Sequence, residues 1–385
     1  MKIKQFLSVL ILLMLCACSS SVQKTPVLAV KSTLEQELSG ELILGRPYLP
    51  EELPNADLFG LTPEMKQFAE QATQGINSVS GRAEALHKAL MTSVNYGGRG
   101  ITYSAQETIT GIDAFEQRQA NCLSYTLLYV AMARHVNLKA EVNEVILPPT
   151  WNMRATDTYL LMRHVNAKVF LPRPSFNWVR VVGTADINDI VVDLEMRRFR
   201  PHYKQQVIDK PLIAAQFYSN RGMELAAEGK TQEAFLYLRK ALSMSQEPSY
   251  IWSNFGSFYR RLGLLPQAEK IYLHGLKINP RDHTIMHNLA GVYRDLGNEE
   301  ASNYYQQRVR QHRNANPYFM FKRAEDEVKK GDYQAALVLI KKAISKEGNE
   351  SRFYTLAASI YDALGEAQHA QDMRDKVYQL STIRY

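Results

Sequence analysis

Reactive cysteine is nearly absent from this chain of 385 residues, which has three in all. Two of them, Cys16 and Cys18, lie in an apolar N-terminal segment, so the remainder holds a single thiol, Cys122, and no internal disulfide framework. No grouping of Cys and His has metal-ligand spacing, so no resident metal is expected. No glycine-rich phosphate loop follows a strand, and no cofactor is implied. The formal charge of +7 falls to +5 without Lys2 and Lys4 and is spread thinly, which argues against a nucleic-acid binder. No apolar run is long enough to span a bilayer. The length accommodates two or three domains, each with its own core.

What is present begins with Lys2, Lys4 and the apolar run Phe6 to Leu15, a secretory signal too short to cross a membrane. Leu15-Cys16-Ala17-Cys18 resembles the bacterial lipobox, which implies cleavage after residue 17 and acylation of Cys18. Ser19 stands where retention at the inner membrane usually requires Asp. The resemblance therefore implies a lipid-anchored, palmitate-bearing protein of the cell envelope, held at the outer membrane and facing the periplasm. Residues 18–60, punctuated by Pro26, Pro47, Pro50 and Pro54, read as a tether.

Thr62-Pro63-Glu64 is a helix start, with a capping hydroxyl ahead of Pro, and predicts a short helix through Gln71. A second helix is expected from Arg82 to Asn95. At the other end, Gly229, Gly263, Gly297, Gly331 and Gly365 recur every 34 residues. Seven residues before each is Gly or Ala, and five after each is Ala or Ser. The pattern resembles the tetratricopeptide repeat, a helix–turn–helix unit of that period, most closely in the second copy with Trp252, Gly256, Tyr259, Ala268 and Pro280. The resemblance implies about five repeats over 212–382, stacked into an all-α superhelix that binds a protein or peptide partner. The third copy is weak at Ser302, Gln306 and Val309, and the fourth has Glu327 where an aromatic is usual. Tyr259, Tyr293 and Tyr361 read as core.

Between tether and repeats, Thr108 to Val136 reads as a loop entering a helix with Leu123, Leu127, Leu128, Ala131, Met132 and Val136 at helical spacing. Cys122 falls at its first turn, where unpaired N–H groups and the helix dipole favour a thiolate. Strands are predicted over Lys139 to Leu147, Thr158 to Leu171, Trp178 to Val182 and Ile190 to Leu194. A helix packed on such a sheet can bring His164 and Asp193 to the sulfur. A histidine can move the thiol proton, and a carboxylate can hold the imidazole's tautomer.

Here the chain resembles the transglutaminase-like superfamily over about residues 80–200. The matching parts are Arg118 to Tyr125 around the cysteine, Ala131 to Arg134 and Leu138 to Ala140 beyond it, Arg163 to Val169, and Ile190 to Asp193. The resemblance implies an α+β domain over 61–205, with the Cys-bearing helix on an antiparallel sheet and a catalytic Cys122, His164 and Asp193, 42 and 29 residues apart. Asn121 stands where the family more often has Gly, and Asn166 where an aromatic often follows the His. No oxyanion-stabilising side chain is identified.

Taken alone, Cys122 would be a small core residue more often than a nucleophile, His135 a satisfied surface group, and Asp193 a turn former. Together they support acyl transfer or amide hydrolysis on a protein or peptide. The competing reading is a non-catalytic scaffold lipoprotein that holds an envelope partner through its repeats.

Overall fold

A computed structural model describes residues 34–148, 150–151, 159–160, 163–172, 189–194 and 203–382. Cys16, Cys18 and the strand expected over Trp178 to Val182 lie outside the described residues.

From Leu34 onward, the segment read as a tether is instead folded against the rest of the chain. Helices α1 (Leu34–Ser39) and α2 (Glu41–Leu44) pack on helices of the C-terminal half. Glu37 is fully buried there, its carboxylate 3.1 Å from Lys270 Nζ and its carbonyl accepting from the Tyr259 hydroxyl. Arg239 donates to the Tyr48 hydroxyl at 2.9 Å. Segments of six and four residues are too short to display a helical period, so only the surface that receives them reveals their role.

Helix α3 (Pro63–Thr73) is capped by Thr62 as expected, and α4 (Val79–Met91) by Ser78. Strand β1 (Thr102–Tyr103) pairs in parallel with β2 (Gln119–Ala120), and between them lies α5 (Gly111–Gln117), a helix where the sequence suggested loop. Its first residue, Gly111, lies so close to α6 (Cys122–His135) that an added Cβ would stand 3.0 Å from the Leu128 backbone. Every residue of α6 from Leu123 to Ala133 is buried. A helix covered all round must be central. On one side lie α3, α4 and α5, and on the other β3 (Ala140–Ile146) and β6 (Arg163–Phe170).

Strands β4 (Thr150–Trp151) and β5 (Tyr159–Leu160) pair separately. The main sheet is completed by β7 (Asp189–Val192) and β8 (Gln205–Val207), in the order β7-β6-β3-β8 with every pairing antiparallel.

Five antiparallel helix pairs follow: α7 (Lys210–Ala227) with α8 (Thr231–Met244), α9 (Ser249–Arg261) with α10 (Leu265–Ile278), α11 (His283–Asp295) with α12 (Glu299–Ala315), α13 (Pro317–Lys330) with α14 (Tyr333–Lys346), and α15 (Ser351–Ala363) with α16 (Ala367–Thr382). All five periodic glycines have φ between 74° and 81°, the left-handed turn that lets the second helix fold back. The small residues seven positions earlier mark close approach: a Cβ at Gly256 would meet the Tyr272 ring at 2.6 Å. The weak third copy is visible in α12, whose one buried residue is Ser302.

That weakness divides the core. One contiguous apolar cluster runs from Leu58 through α6, the sheet and the repeats to Val292, while α13 to α16 have a separate core around Phe353 and Ile340. The second core is tied back to the sheet domain by polar contacts: Tyr203 donates to the buried Glu350 carboxylate at 3.3 Å, and Arg352 pairs with it at 2.7 Å.

Candidate active site

Cys122 is the first residue of α6 and its thiol is partly exposed. Asn121, the departure from glycine noted in the sequence, is the helix cap. Its Oδ1 accepts from Ser124 N at 2.9 Å, and its Nδ2 donates to Thr108 Oγ1 at 2.8 Å. Ser124 N–H is taken by the cap and Tyr125 N bonds to the Asn121 carbonyl, so the N–H groups of Cys122 and Leu123 are the two in this turn without an acceptor among the described residues. The preceding loop is held by the first repeat helix. The Glu224 carboxylate accepts from Thr108 Oγ1 at 2.7 Å and from its N–H, and Arg221 pairs with Glu107 at 2.7 Å.

His164 comes from β6 and Asp193 from the residue after β7, on adjacent antiparallel strands. Both are buried, and His164 Nε2 lies 2.5 Å from Asp193 Oδ2. The Cys122 thiol is close enough to the imidazole to help raise its pKa, and with Nε2 committed to Asp193 the other ring nitrogen, Nδ1, is free to serve the sulfur. Cys122, His164 and Asp193, expected to converge, are therefore brought together in that order. His135, read as a satisfied surface group, bonds Glu70 at 2.7 Å, away from this cluster.

Burial alone would lower the His164 pKa, but hydrogen bonds to Asp193 and Cys122 and the charges behind them outweigh it and raise it from 6.5 to about 10. The imidazolium is thus the favoured form at neutral pH. Because the folded-state value lies above the unfolded one, this interaction stabilises the fold fully below pH 6.5 and is lost as pH rises to about 10. The difference in unfolding free energy between the native chain and His164→Gln should therefore be largest just below pH 6.5 and shrink steadily towards pH 10, measured by urea titration across that range.

Sequence reasoning missed what holds Asp193. Asn166 Nδ2 donates to Asp193 Oδ2 at 3.3 Å, Asn143 Nδ2 donates to Asn166 Oδ1 at 2.8 Å, and the same Nδ2 donates to Gln205 Oε1 at 3.0 Å. A line of amides thus crosses β8, β3 and β6 to the carboxylate. Asn143 and Asn166 are opposite each other in the β3–β6 register and both are buried. Two asparagines inside apolar strands were the signal, since buried amides need partners.

In front of the sulfur is a cleft of about 240 Å³. The α+β domain contributes Cys122, Leu123 and Val165 to it, and the opposite wall belongs to α7, α9 and α11. Glu144, buried on β3, joins the two walls by accepting from Gln216 Nε2 on α7 at 2.7 Å and from Gln206 at 3.0 Å. Among the described residues, no group of three or more His, Cys, Asp or Glu is placed to hold a metal ion.

A partly exposed cysteine heading the central helix of an α+β domain, with histidine and aspartate on adjoining strands and a helical-repeat array behind, defines the class as thiol-site domain plus repeats. The matches to known families agree. Residues 66–182 match the transglutaminase-like superfamily, a span that includes Cys122 and His164 and ends before Asp193, and residues 215–248 match the tetratricopeptide repeat. The chain carries a transglutaminase-like domain followed by tetratricopeptide repeats. No curated protein matches it. Among solved structures it is similar to MamA from Desulfovibrio magneticus RS-1, with 15% identity over 44% of this chain and 95% of that one and a TM-score of 0.25. BtubC from P. vanneervenii matches with 20% identity over 45% and 82% at 0.25. YrrB, described as a repeat protein with an unusual peptide-binding site, matches with 17% identity over 43% and 86% at 0.25.

Proposed function

We propose that this is a lipid-anchored envelope protein whose Cys122, His164 and Asp193 carry out acyl transfer or amide hydrolysis on a peptide or protein. The observation that carries the reading is the buried His164–Asp193 pair beside Cys122 at the mouth of a cleft. The Cys122 thiolate attacks an amide carbonyl. The His164 imidazolium gives its proton to the departing amine as the C–N bond breaks, leaving a thioester on Cys122. The N–H groups of Cys122 and Leu123 are the donors suited to the oxyanion. His164, now neutral, takes a proton from water or an attacking amine, and the C–S bond breaks to restore the thiolate. Water gives hydrolysis and a lysine amine gives a cross-link.

Iodoacetamide should alkylate Cys122 at neutral pH at least tenfold faster than a free cysteine, as expected of a nucleophile served by a neighbouring histidine. Alkylation no faster than that of the free thiol, or unchanged total labelling in Cys122→Ala, would sink the catalytic reading.

The resemblance of Leu15 to Cys18 to a lipobox supports an acyl anchor on Cys18, and no described helix is long and apolar enough to cross a membrane. Radiolabelled palmitate should enter the native chain and be lost in Cys18→Ser. The scaffold reading would use the face of the first repeat helices for a partner. Two of those helices are already contacted by the chain's own strands, β5 against α11 and β4 against α13.

A further inference from the structure

Three successive first helices of the repeats face Cys122 across the cleft. Their contribution is polar but almost uncharged: Gln216 and Asn220 from α7, Tyr250 and Asn254 from α9, and Thr284 from α11. The one carboxylate in the lining, Asp282, is engaged at both oxygens, Oδ1 accepting from Ile285 N at 3.0 Å and Oδ2 from Ser249 Oγ at 2.6 Å. It caps α11 and is not set to receive a cation.

The amides are periodic. Asn220, Asn254 and Asn288 are 34 residues apart, so they occupy one position of three consecutive repeats. Asn220 is exposed and its amide makes no hydrogen bond within the described residues, whereas Asn254 Nδ2 is steadied by Ser219 Oγ at 2.9 Å. Each such side chain offers a donor and an acceptor, the complement of one peptide group. Packed helix axes lie about 8–10 Å apart. An extended chain advances about 3.3 Å per residue, so neighbouring rungs match roughly three residues of extended peptide. The wall is also fixed relative to the sulfur. Gln216 joins the Glu144 carboxylate to the Tyr250 hydroxyl at 2.7 and 2.8 Å, and Glu224 holds the loop before Cys122.

Resting on the reading of Cys122 as a nucleophile, we infer that α7, α9 and α11 are the substrate-binding wall of that site. They read an extended, uncharged peptide segment through its backbone, with the reacting carbonyl presented to Cys122. The repeats are then part of the active site, and Asn220 and Asn254 are specificity-determining residues.

The experiment compares two electrophiles on the full chain: an uncharged tetrapeptide chloromethyl ketone, and chloroacetamide, which has no peptide to read. The ratio of their second-order labelling rates at Cys122, each normalised to free cysteine, is expected to exceed ten. Asn220→Ala, at an exposed position that bonds no other described residue, should lower the ratio about tenfold, and Asn254→Ala by as much. Backbone N-methylation of the tetrapeptide should lower it similarly. A ratio near one, or one unmoved by Asn220→Ala and by N-methylation, overturns the inference while leaving the nucleophile intact. Chloroacetamide labelling no faster than that of free cysteine overturns the reading beneath it.

Discussion

Replacing His164 with alanine is expected to slow acylation of Cys122 by an activated ester roughly 10²- to 10⁴-fold, the range assigned to a positioned acid–base group. The imidazole is the thiol's direct partner, and its buried ion pair with Asp193 keeps it protonated well above the usual histidine range. Removing it leaves the sulfur without a group to take up or return its proton. Asp193→Asn acts one step further back. It keeps a side chain able to hydrogen-bond Nε2 but removes the charge that raises the histidine. The alkaline limb of the pH–rate profile, set near 10 in the native chain, should therefore move down towards 6.5. Stopped-flow acylation from pH 5 to 10, a range set by the histidine's titration, reads both effects. Rates in His164→Ala within threefold of native would mean that the pair is structural.

The second large effect is on stability. Trp252 is almost fully buried on α9, with Nε1 donating to the Gln246 carbonyl at 2.8 Å and its ring against His274. Trp252→Ala should cost about 3–5 kcal/mol. Because one apolar cluster joins the first three repeats to the Cys-bearing domain, this loss should spread to the nucleophile. In urea, Trp252→Ala should lower the midpoint at which Cys122 loses its enhanced reactivity. Phe353→Ala removes a similar buried ring from the separate core of α13 to α16. It should lower the circular-dichroism midpoint of those helices and leave the Cys122 midpoint nearly in place. Equal shifts of the Cys122 midpoint in both variants would show that the two cores unfold as one.

Glu144 shows how much of the site was hidden from sequence reading. Nothing in the run Ala140 to Ile146 marks it as the carboxylate that binds a repeat glutamine 72 positions away. The departures at Asn121 and Asn166 were visible, but their purposes were not. One caps the nucleophile's helix, and the other holds the carboxylate behind the histidine. Each purpose depends on a partner that strand pairing or helix entry supplies.

By itself the sequence determined the repeats, from a 34-residue period that needs a left-handed glycine in every turn. It also determined that Cys122 heads an apolar helix, that His164 lies on a later strand and that Asp193 stands by another, because helix caps and strand alternation are written in neighbouring residues. Only the tertiary structure decided that residues 34–44 pack on the repeats, that an amide line backs Asp193, and that repeat helices wall the cleft before Cys122. These depend on the register of a sheet and on which helix faces meet. Such contacts join residues tens to hundreds of positions apart, and no local period records them.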